Sequence, residues 1–249
     1  MARAAVLGRL TWQLTDVVEF VDETPRVRSI VLDAPEWAGH RPGQHVDVRL
    51  TAEDGYQAER SYSIASAPED PHLVITVERL DDGEVSPYLV GELQPGDKLE
   101  LRGPVGGYFV WTVEVGGPVL LVAGGSGVVP LMAMLRHRVA SGDATAFRLF
   151  YSSRSLDEVI YRDELERLAA NDGIEVVHTL TRSQPEGWTG YSRRIDEEML
   201  REVAWPGEER PRVYVCGPTR LVESVANTLV AMGHDPDRVK TERFGPTGG

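Results

Sequence analysis

Two different patterns of apolar residues divide this chain. As far as about Trp111, short alternations of apolar and polar residues are separated by turns rich in Pro, Gly and Asp. Such alternation is typical of antiparallel strands, and its spacing predicts a small antiparallel β-barrel. One short helix is predicted over 86–91, with Ser86 as its N-cap and Pro87 at its first helical position. The predicted strands cover 17–20, 27–32, 44–50, 61–64, 73–79 and 98–102.

After Gly116–Gly117–Pro118 the pattern changes to buried apolar runs, each followed by a segment of helical periodicity. This order is typical of a parallel sheet covered by helices. The predicted strands are 119–123, 147–152, 174–180 and 212–216, and the predicted helices are 130–139, 156–170, 195–203 and 221–232. We therefore expect two domains, an antiparallel β-barrel over 1–112 and an α/β parallel-sheet domain over 113–249.

The net charge and the cysteine count exclude several kinds of binding partner and metal site. The net charge of −13 gives an acidic surface that repels phosphate backbones and anionic lipid, so neither nucleic acid nor a membrane is expected as a partner. No apolar run approaches the ~20 residues of a membrane span, and the N-terminus lacks a signal-like apolar core, so the cytoplasm is the expected location. With Cys216 as its single cysteine, the chain can form neither an internal disulfide nor a Cys-only zinc or iron–sulfur site.

A glycine-rich segment, Gly124–Pro130, lies between a predicted buried strand and a helix. Bare backbone N–H groups at a helix start favour phosphate, and Pro130 is expected to open the helix. The segment is neither a GxGxxG fingerprint nor a P-loop, which disfavours a generic Rossmann dehydrogenase or an NTPase. A tight turn without a ligand is the alternative interpretation.

Cys216–Gly217–Pro218 also follows a buried strand, so we expect it at the carboxyl edge of the sheet, where open α/β folds bind ligands. A thiol facing the cleft is predicted there. The alternative is a small residue buried in the core.

In the first half, Arg60, Tyr62 and Ile64 are expected on one face of a strand and Ser61 and Ser63 on the other. A guanidinium can bind pyrophosphate through paired hydrogen bonds, and a tyrosine ring offers a stacking surface to a planar ligand. An ordinary barrel strand that carries a surface arginine is the alternative.

Together these segments resemble the ferredoxin–NADP reductase superfamily of flavoproteins. The family signature Arg-x-Tyr-Ser-x-x-Ser is matched from Arg60 to Ser66, its Gly-x-x-Ser turn from Gly83 to Ser86, and its Gly-Pro-x-Gly turn from Gly103 to Gly106. The resemblance implies bound FAD, with FMN as the less expected flavin. The flavin-binding residues it implies are Arg60, Ser61, Tyr62, Ser63, Val77, Arg79, Gly83, Val85 and Ser86.

The resemblance also implies a nicotinamide dinucleotide in the second domain. Its pyrophosphate is expected at Gly125, Ser126 and Gly127, with the nicotinamide against Cys216 and Gly217. Phe244, in a family-like Glu-Arg-aromatic segment, is expected to stack on the flavin, and five further residues follow it.

Arginines favour NADPH over NADH, because a 2′-phosphate asks for arginine and hydroxyl groups whereas a free ribose hydroxyl asks for a carboxylate. Arg154 follows one predicted strand, and Thr181 and Arg182 follow the next. Asp157 is the signal for NADH, although we expect it to cap the following helix.

The resemblance implies that NADPH gives hydride to FAD, with Ser63, Cys216 and Phe244 positioned at the reacting rings. We expect a separate electron acceptor, either ferredoxin or an electron-transfer component of an oxygenase, and no iron–sulfur domain fused to this chain. An acidic surface is not obviously suited to an acidic ferredoxin. A free flavin or quinone reductase, and a non-catalytic flavin-binding electron-transfer or sensory subunit, are the alternatives. The sequence leaves the oligomeric state open.

Overall fold

The computed structural model describes residues 10–244, and its N-terminal part is a six-stranded antiparallel sheet. The strand order is β4-β3-β6-β1-β2-β5, and a bridge between Ile64 and Ile75 brings the two edges together into a barrel. Its core holds fully buried apolar side chains such as Ile30, Val48 and Leu101. The strands are β1 Gln13–Thr24, β2 Val27–Asp33, β3 His45–Thr51, β4 Gln57–Ser63, β5 Leu73–Glu78 and β6 Lys98–Val105.

The first strand is much longer than its pattern predicts, because burial along it does not follow hydrophobicity. Leu14 is 60% exposed, while Thr15 is fully buried and donates its hydroxyl hydrogen to the Leu99 carbonyl at 3.1 Å. A register shift between Val17 and Glu19 then breaks the period-two alternation. The strand was therefore recognisable only in part.

The short helix α1, Ser86–Gly91, is where it was predicted, but its capping differs. Val85 holds the N-cap position, which makes Pro87 the second helical residue. The hydroxyl of Ser86 instead accepts a hydrogen bond from the Leu80 amide at 3.0 Å and so fixes the preceding loop. The prediction of Ser86 as N-cap is therefore wrong by one position.

The second part is a five-stranded parallel sheet of order β11-β10-β7-β8-β9 with helices on both faces. Its strands are β7 Val119–Gly124, β8 Phe147–Ser153, β9 Glu175–Leu180, β10 Arg212–Pro218 and β11 Val239–Phe244. Its helices are α2 Val128–Ala140, α3 Arg162–Asn171, α4 Glu197–Val203 and α5 Thr219–Ala231. The two-domain prediction of a barrel followed by a parallel α/β sheet is confirmed. Strand β11 had not been predicted.

Helix α3 begins six residues later than predicted. Tyr161, immediately before it, has a left-handed backbone (φ +60°), which interrupts the helical path. None of the helices within residues 10–244 has the length and apolar character of a membrane span.

Polar contacts tie the two parts together beside a shared apolar cluster. Arg136 on α2 donates to the Ala65 carbonyl of the barrel at 2.7 Å and to both carboxylate oxygens of Glu164. The buried Tyr161 hydroxyl donates to Thr76 on β5. The relative position of the sheets is thus fixed by hydrogen bonds as well as by packing.

Candidate functional site

A cleft of about 540 Å³ lies at the carboxyl edge of the parallel sheet, against the barrel. The barrel contributes Glu78 at the end of β5 and the hairpin 24–27. The α/β domain contributes the glycine loop, the ends of β8 and β9, and Phe244. Binding clefts in open α/β folds are found at this edge.

The glycine loop follows β7 and turns directly into α2. Gly125 has φ +54°, and a Cβ on Gly127 would lie 2.1 Å from the carbonyl oxygen of Cys216. A side chain is therefore excluded at Gly127, so the loop lies directly against β10, while Gly125 and Ser126 line the cleft. Pro130 is the third helical residue rather than the first. It still lies in the first turn, where a missing N–H costs no intrahelical bond.

One polar bond crosses from this loop to the barrel. The Ser126 hydroxyl donates to Glu78 at 2.7 Å, and both residues line the cleft. A carboxylate therefore stands beside the loop expected to take pyrophosphate.

The prediction that the Cys216 thiol faces the cleft is wrong in this structure. Cys216 is only 1% exposed, and its side chain lies in the apolar cluster together with Val128 and Val129. The glycine loop packs against the backbone carbonyl of Cys216, and the apolar cluster covers the thiol. Burial raises the pKa of the Cys216 thiol far above its usual range, so the group stays protonated. Gly217, which follows it, lies against the backbone of Gly124.

Glu242, which is not among the predicted site residues, lies beside Cys216 on the neighbouring strand β11. Burial raises the pKa of its carboxyl group to about 7, and within residues 10–244 its Oε2 atom is buried without a hydrogen-bond partner. Glu242 could have been found from the sequence only if β11 had been predicted as the strand that pairs with the Cys-Gly-Pro segment. Phe244 pairs with Pro218 two positions further along and lines the cleft. The residues after Phe244 lie outside those described.

On the barrel, the alternation predicted for β4 is observed. The Ser61 hydroxyl donates to Asp47 on one face, while Tyr62 packs against the barrel core on the other. Burial raises the pKa of the Tyr62 hydroxyl to about 12, so it is neutral at physiological pH. Ser63 ends the strand and pairs with His45. Arg60 extends outward, 52% exposed, and contacts Glu84 at 2.9 Å.

The loop between β5 and α1 places the other predicted flavin residues. Val77 and Val85 are buried in the barrel core, so only their backbone is available to a ligand. Arg79 contacts Asp81 at 3.2 Å, while Gly83 and Ser86 begin the turn into α1. The two predicted flavin-binding arginines, Arg60 and Arg79, are thus each paired with a carboxylate of the loop between β5 and α1.

The far end of the cleft holds the residues expected to select the coenzyme. Arg154 and Thr181 both line it, whereas Arg182 follows just outside and donates its amide to the Arg154 carbonyl at 2.9 Å. Asp157 also lines the cleft and does not cap α3, whose N-cap is Tyr161. The expectation that Asp157 acts as a helix cap is therefore wrong, because α3 starts later than its pattern suggests.

Comparison with known proteins adds to this geometry. A family model described as an oxidoreductase FAD-binding domain matches residues 14–110, and one described as an oxidoreductase NAD-binding domain matches residues 121–227. Ferredoxin–NADP reductase B of Sorangium cellulosum is 39% identical over 210 residues, which cover 81% of this chain and 84% of that protein.

The glycine betaine monooxygenase reductase subunit of Pseudomonas aeruginosa is 32% identical over 95% of this chain, which spans 66% of that relative's length. Among solved structures, the FAD/NAD-binding domain of nitric oxide dioxygenase from Vibrio cholerae superposes with a TM-score of 0.84 at 27% identity. That match covers 94% of this chain and 99% of that domain.

Proposed function

Because this chain belongs to the ferredoxin–NADP reductase superfamily of FAD- and NAD(P)-binding oxidoreductases, we propose that it takes hydride from NADPH onto FAD and passes electrons to a separate protein. The observation that carries this proposal is the cleft shared by both domains, where the glycine loop faces the end of β5. The barrel, up to residue 112, would hold the flavin, and the following α/β domain would hold the dinucleotide.

The residues present suit both cofactors. Gly125 and Ser126 of the glycine loop line the cleft, and Arg60 and Arg79 supply positive charge near the start of α1. When bound, FAD supplies two-electron acceptance and one-electron release. The protein's part is to hold, orient and shield the reacting rings.

Residues of both domains would perform that part as follows, although of the four named here only Phe244 lines the cleft itself. Tyr62, held neutral by burial, presents a flat ring at the end of β4, and Ser63 places a hydroxyl beside it. Phe244 at the end of β11 lines the cleft beside Pro218. Cys216, being protonated and covered, would act by packing beneath the nicotinamide position rather than as a nucleophile.

NADPH is our proposed coenzyme because Arg154 and Thr181 line the far end of the cleft. Asp157 in the same lining is a specific observation in favour of NADH, since a carboxylate suits a free 2′-hydroxyl and repels a 2′-phosphate. NADH-dependent reduction is therefore the second candidate.

For the acceptor we propose a ferredoxin or an electron-transfer component of an oxygenase. The support is that relatives include reductase subunits named for monooxygenase systems and a ferredoxin–NADP reductase. A free flavin or quinone reductase would need no such protein partner.

The experiment is an anaerobic titration of flavin-loaded protein with NADPH and, separately, with NADH, following flavin absorbance. Loss of absorbance with NADPH at much lower concentration than with NADH is expected. The reverse order would replace NADPH by NADH. Failure to bind FAD or FMN, or no bleaching by either nucleotide, would overturn the proposal.

A further inference from the structure

The two flavin motifs of the barrel are joined by an ion pair. Arg60, the first residue of the Arg-x-Tyr-Ser motif, donates through Nη2 to the Oε2 atom of Glu84 at 2.9 Å. Glu84 holds the first variable position of the Gly-x-x-Ser turn, which runs from Gly83 to Ser86. A carboxylate is therefore bonded to the arginine that is expected to take the flavin phosphate.

The second terminal nitrogen of Arg60 also has an acceptor. Its Nη1 atom donates to the carbonyl oxygen of Glu59 at 2.7 Å. Arginine recognises phosphate best through two parallel N–H bonds. A phosphate that takes the two terminal nitrogens must therefore share them with Glu84 and the Glu59 carbonyl, or replace both. Unlike the carbonyl group, the Glu84 carboxylate carries a full negative charge, which repels a phosphate.

The backbone around Glu84 is held in place by its neighbours. Val85 is 1% exposed and packs in the barrel core. The hydroxyl of Ser86 accepts a hydrogen bond from the Leu80 amide at 3.0 Å. The distance between the Glu84 carboxylate and Arg60 can therefore change by rotation of the side chains, without displacement of the loop.

A third side chain orients this carboxylate. Tyr56, immediately before β4, donates its hydroxyl hydrogen to the Oε1 atom of Glu84 at 3.0 Å. This hydrogen bond raises the pKa of Tyr56, because it favours the protonated hydroxyl. With one oxygen on Tyr56 and the other on Arg60, the Glu84 carboxylate is directed at the guanidinium.

The other carboxylates of this loop make different contacts. Asp81 lies between two arginines, 3.0 Å from Arg26 and 3.2 Å from Arg79, so positive charge remains in excess there. Within residues 10–244, Asp82 forms no ion pair at 4.0 Å or less. Glu84 is thus the carboxylate of this loop that balances a predicted flavin-binding arginine one to one.

We propose that Glu84 sets the flavin specificity of this site by competing with the flavin phosphate for Arg60. This role of Glu84 rests on the proposed function. Arg60 alone would favour FAD and FMN over riboflavin, which has no phosphate. Glu84 reduces that preference, because a bound phosphate either shares the guanidinium or lies beside a carboxylate. The ion pair is exposed and contributes little to folding, so loss of its charge should alter flavin binding and not stability.

The test measures the Kd of FAD, FMN and riboflavin for the full chain by titration calorimetry at low ionic strength. Glu84→Gln removes the charge and keeps an oxygen that can accept the Tyr56 hydroxyl. Asp82→Asn lies in the same loop, makes the same change in net charge and is the matched control. Riboflavin is the probe without a phosphate, so it reports any change in the site that does not act on the phosphate.

Glu84→Gln is expected to lower the Kd of FAD and of FMN by about three- to tenfold, and to change that of riboflavin by less than about twofold. Asp82→Asn should change all three by less than about twofold. The difference between the variants should narrow at about 0.5 M salt, because exposed charges are screened. Equal effects in the two variants, or an equal gain for riboflavin, would overturn the inference.

A double-mutant cycle checks that Glu84 acts through Arg60. Arg60→Gln should weaken FAD and FMN binding, and Glu84→Gln added to it should tighten these flavins by less than about twofold. A gain as large as that in the wild-type background would show that Glu84 does not compete for Arg60, and would also overturn the inference.

Reduction of menadione by NADPH separates the two proposals, because it needs flavin and nucleotide but no partner protein. Menadione reduction by the wild type, together with equal flavin affinities in the wild type and Glu84→Gln, would refute the role of Glu84 alone. The expected pattern of flavin affinities without menadione reduction by either nucleotide would support that role and refute the reductase function. A wild type that binds none of the three flavins would refute both.

Discussion

Ser126 in the glycine loop and Glu78 at the end of β5 are joined by a hydrogen bond of 2.7 Å. The bond links the two domains inside the cleft. It also sets a negative charge beside the backbone groups proposed to hold a pyrophosphate. Glu78 thus orders the loop and at the same time opposes an anionic ligand.

We predict that Glu78→Gln lowers the KM for the dinucleotide by about two- to fivefold, because one nearby charge at the dielectric of a partly open cleft contributes on the order of 0.5–1 kcal/mol. The amide oxygen can still accept the Ser126 hydroxyl. Steady-state kinetics with menadione measure this, and Glu197→Gln on the exposed face of α4 is the control. An increase in KM would mean that the carboxylate has a role in ordering the loop that the amide does not replace.

Glu242 predicts a specific pH dependence of stability. Burial raises its folded-state pKa to about 7, above the value of about 4.3 for unfolded glutamate. The folded state therefore holds this proton more tightly, and the associated stability is present below about pH 4 and is lost as pH rises through 7. Relative to the wild type, Glu242→Gln should gain about 1–3 kcal/mol in free energy of unfolding between pH 4 and pH 8.

Urea denaturation across this pH range checks that gain. Glu166→Gln, which removes an exposed carboxylate on α3, is the matched control. Parallel pH profiles for the wild type and Glu242→Gln would show that Glu242 is not protonated in the folded protein near neutral pH.

Arg154 and Asp157 should act in opposite directions on coenzyme choice. Both line the far end of the cleft, where a 2′-phosphate would meet them. We expect Arg154→Ala to raise the KM for NADPH by about 10-fold or more with little effect on NADH, and Asp157→Asn to favour NADPH. Equal changes for both coenzymes in either variant would place that side chain away from the 2′-position. Arg167→Ala on α3 controls for general loss of positive charge.

Arg136 should be important for stability. It is largely buried, contacts both oxygens of Glu164 and also donates to the barrel at Ala65. Arg136→Leu leaves these acceptors unpaired and should cost about 2–4 kcal/mol of unfolding free energy.

The double variant with Glu164→Leu should recover part of that loss, and Arg162→Leu, which breaks only an exposed pair, should cost less than about 1 kcal/mol. Chemical denaturation measures all three variants. A cost for Arg136→Leu as small as that for Arg162→Leu would contradict a structural role for this contact.

The local pattern of apolar and polar residues predicts most of the strands and helices, and the elements it predicts wrongly are those that depend on tertiary contacts. The buried run of β7 and the glycine loop after it were predictable, because strand, turn and helix each have a local signal. The full length of β1 was not, since an exposed Leu14 and a buried Thr15 contradict its alternation. The helical pattern ahead of α3 gave no sign of the left-handed backbone at Tyr161, whose side-chain hydroxyl donates to Thr76 on a distant strand.

The site was predictable where motifs are contiguous and not where side-chain direction matters. Arg154 and Thr181 line the same cleft, as their places after neighbouring strands suggested. The Cys216 side chain points into an apolar cluster built by distant segments, and the pairing of Glu242 with Cys216 depends on β11, which has no strong local signal.

The buried thiol of Cys216 allows local opening of the native protein to be measured by chemical labelling. As the single cysteine of the chain, 1% exposed and with a strongly raised pKa, it should react with a maleimide or disulfide reagent only when the apolar cluster around it opens. The labelling rate of Cys216 would therefore report the rate of that opening without an introduced cysteine. The same protection leaves the native surface unlabelled, so a fluorophore attached to a cysteine introduced elsewhere would report from one known position.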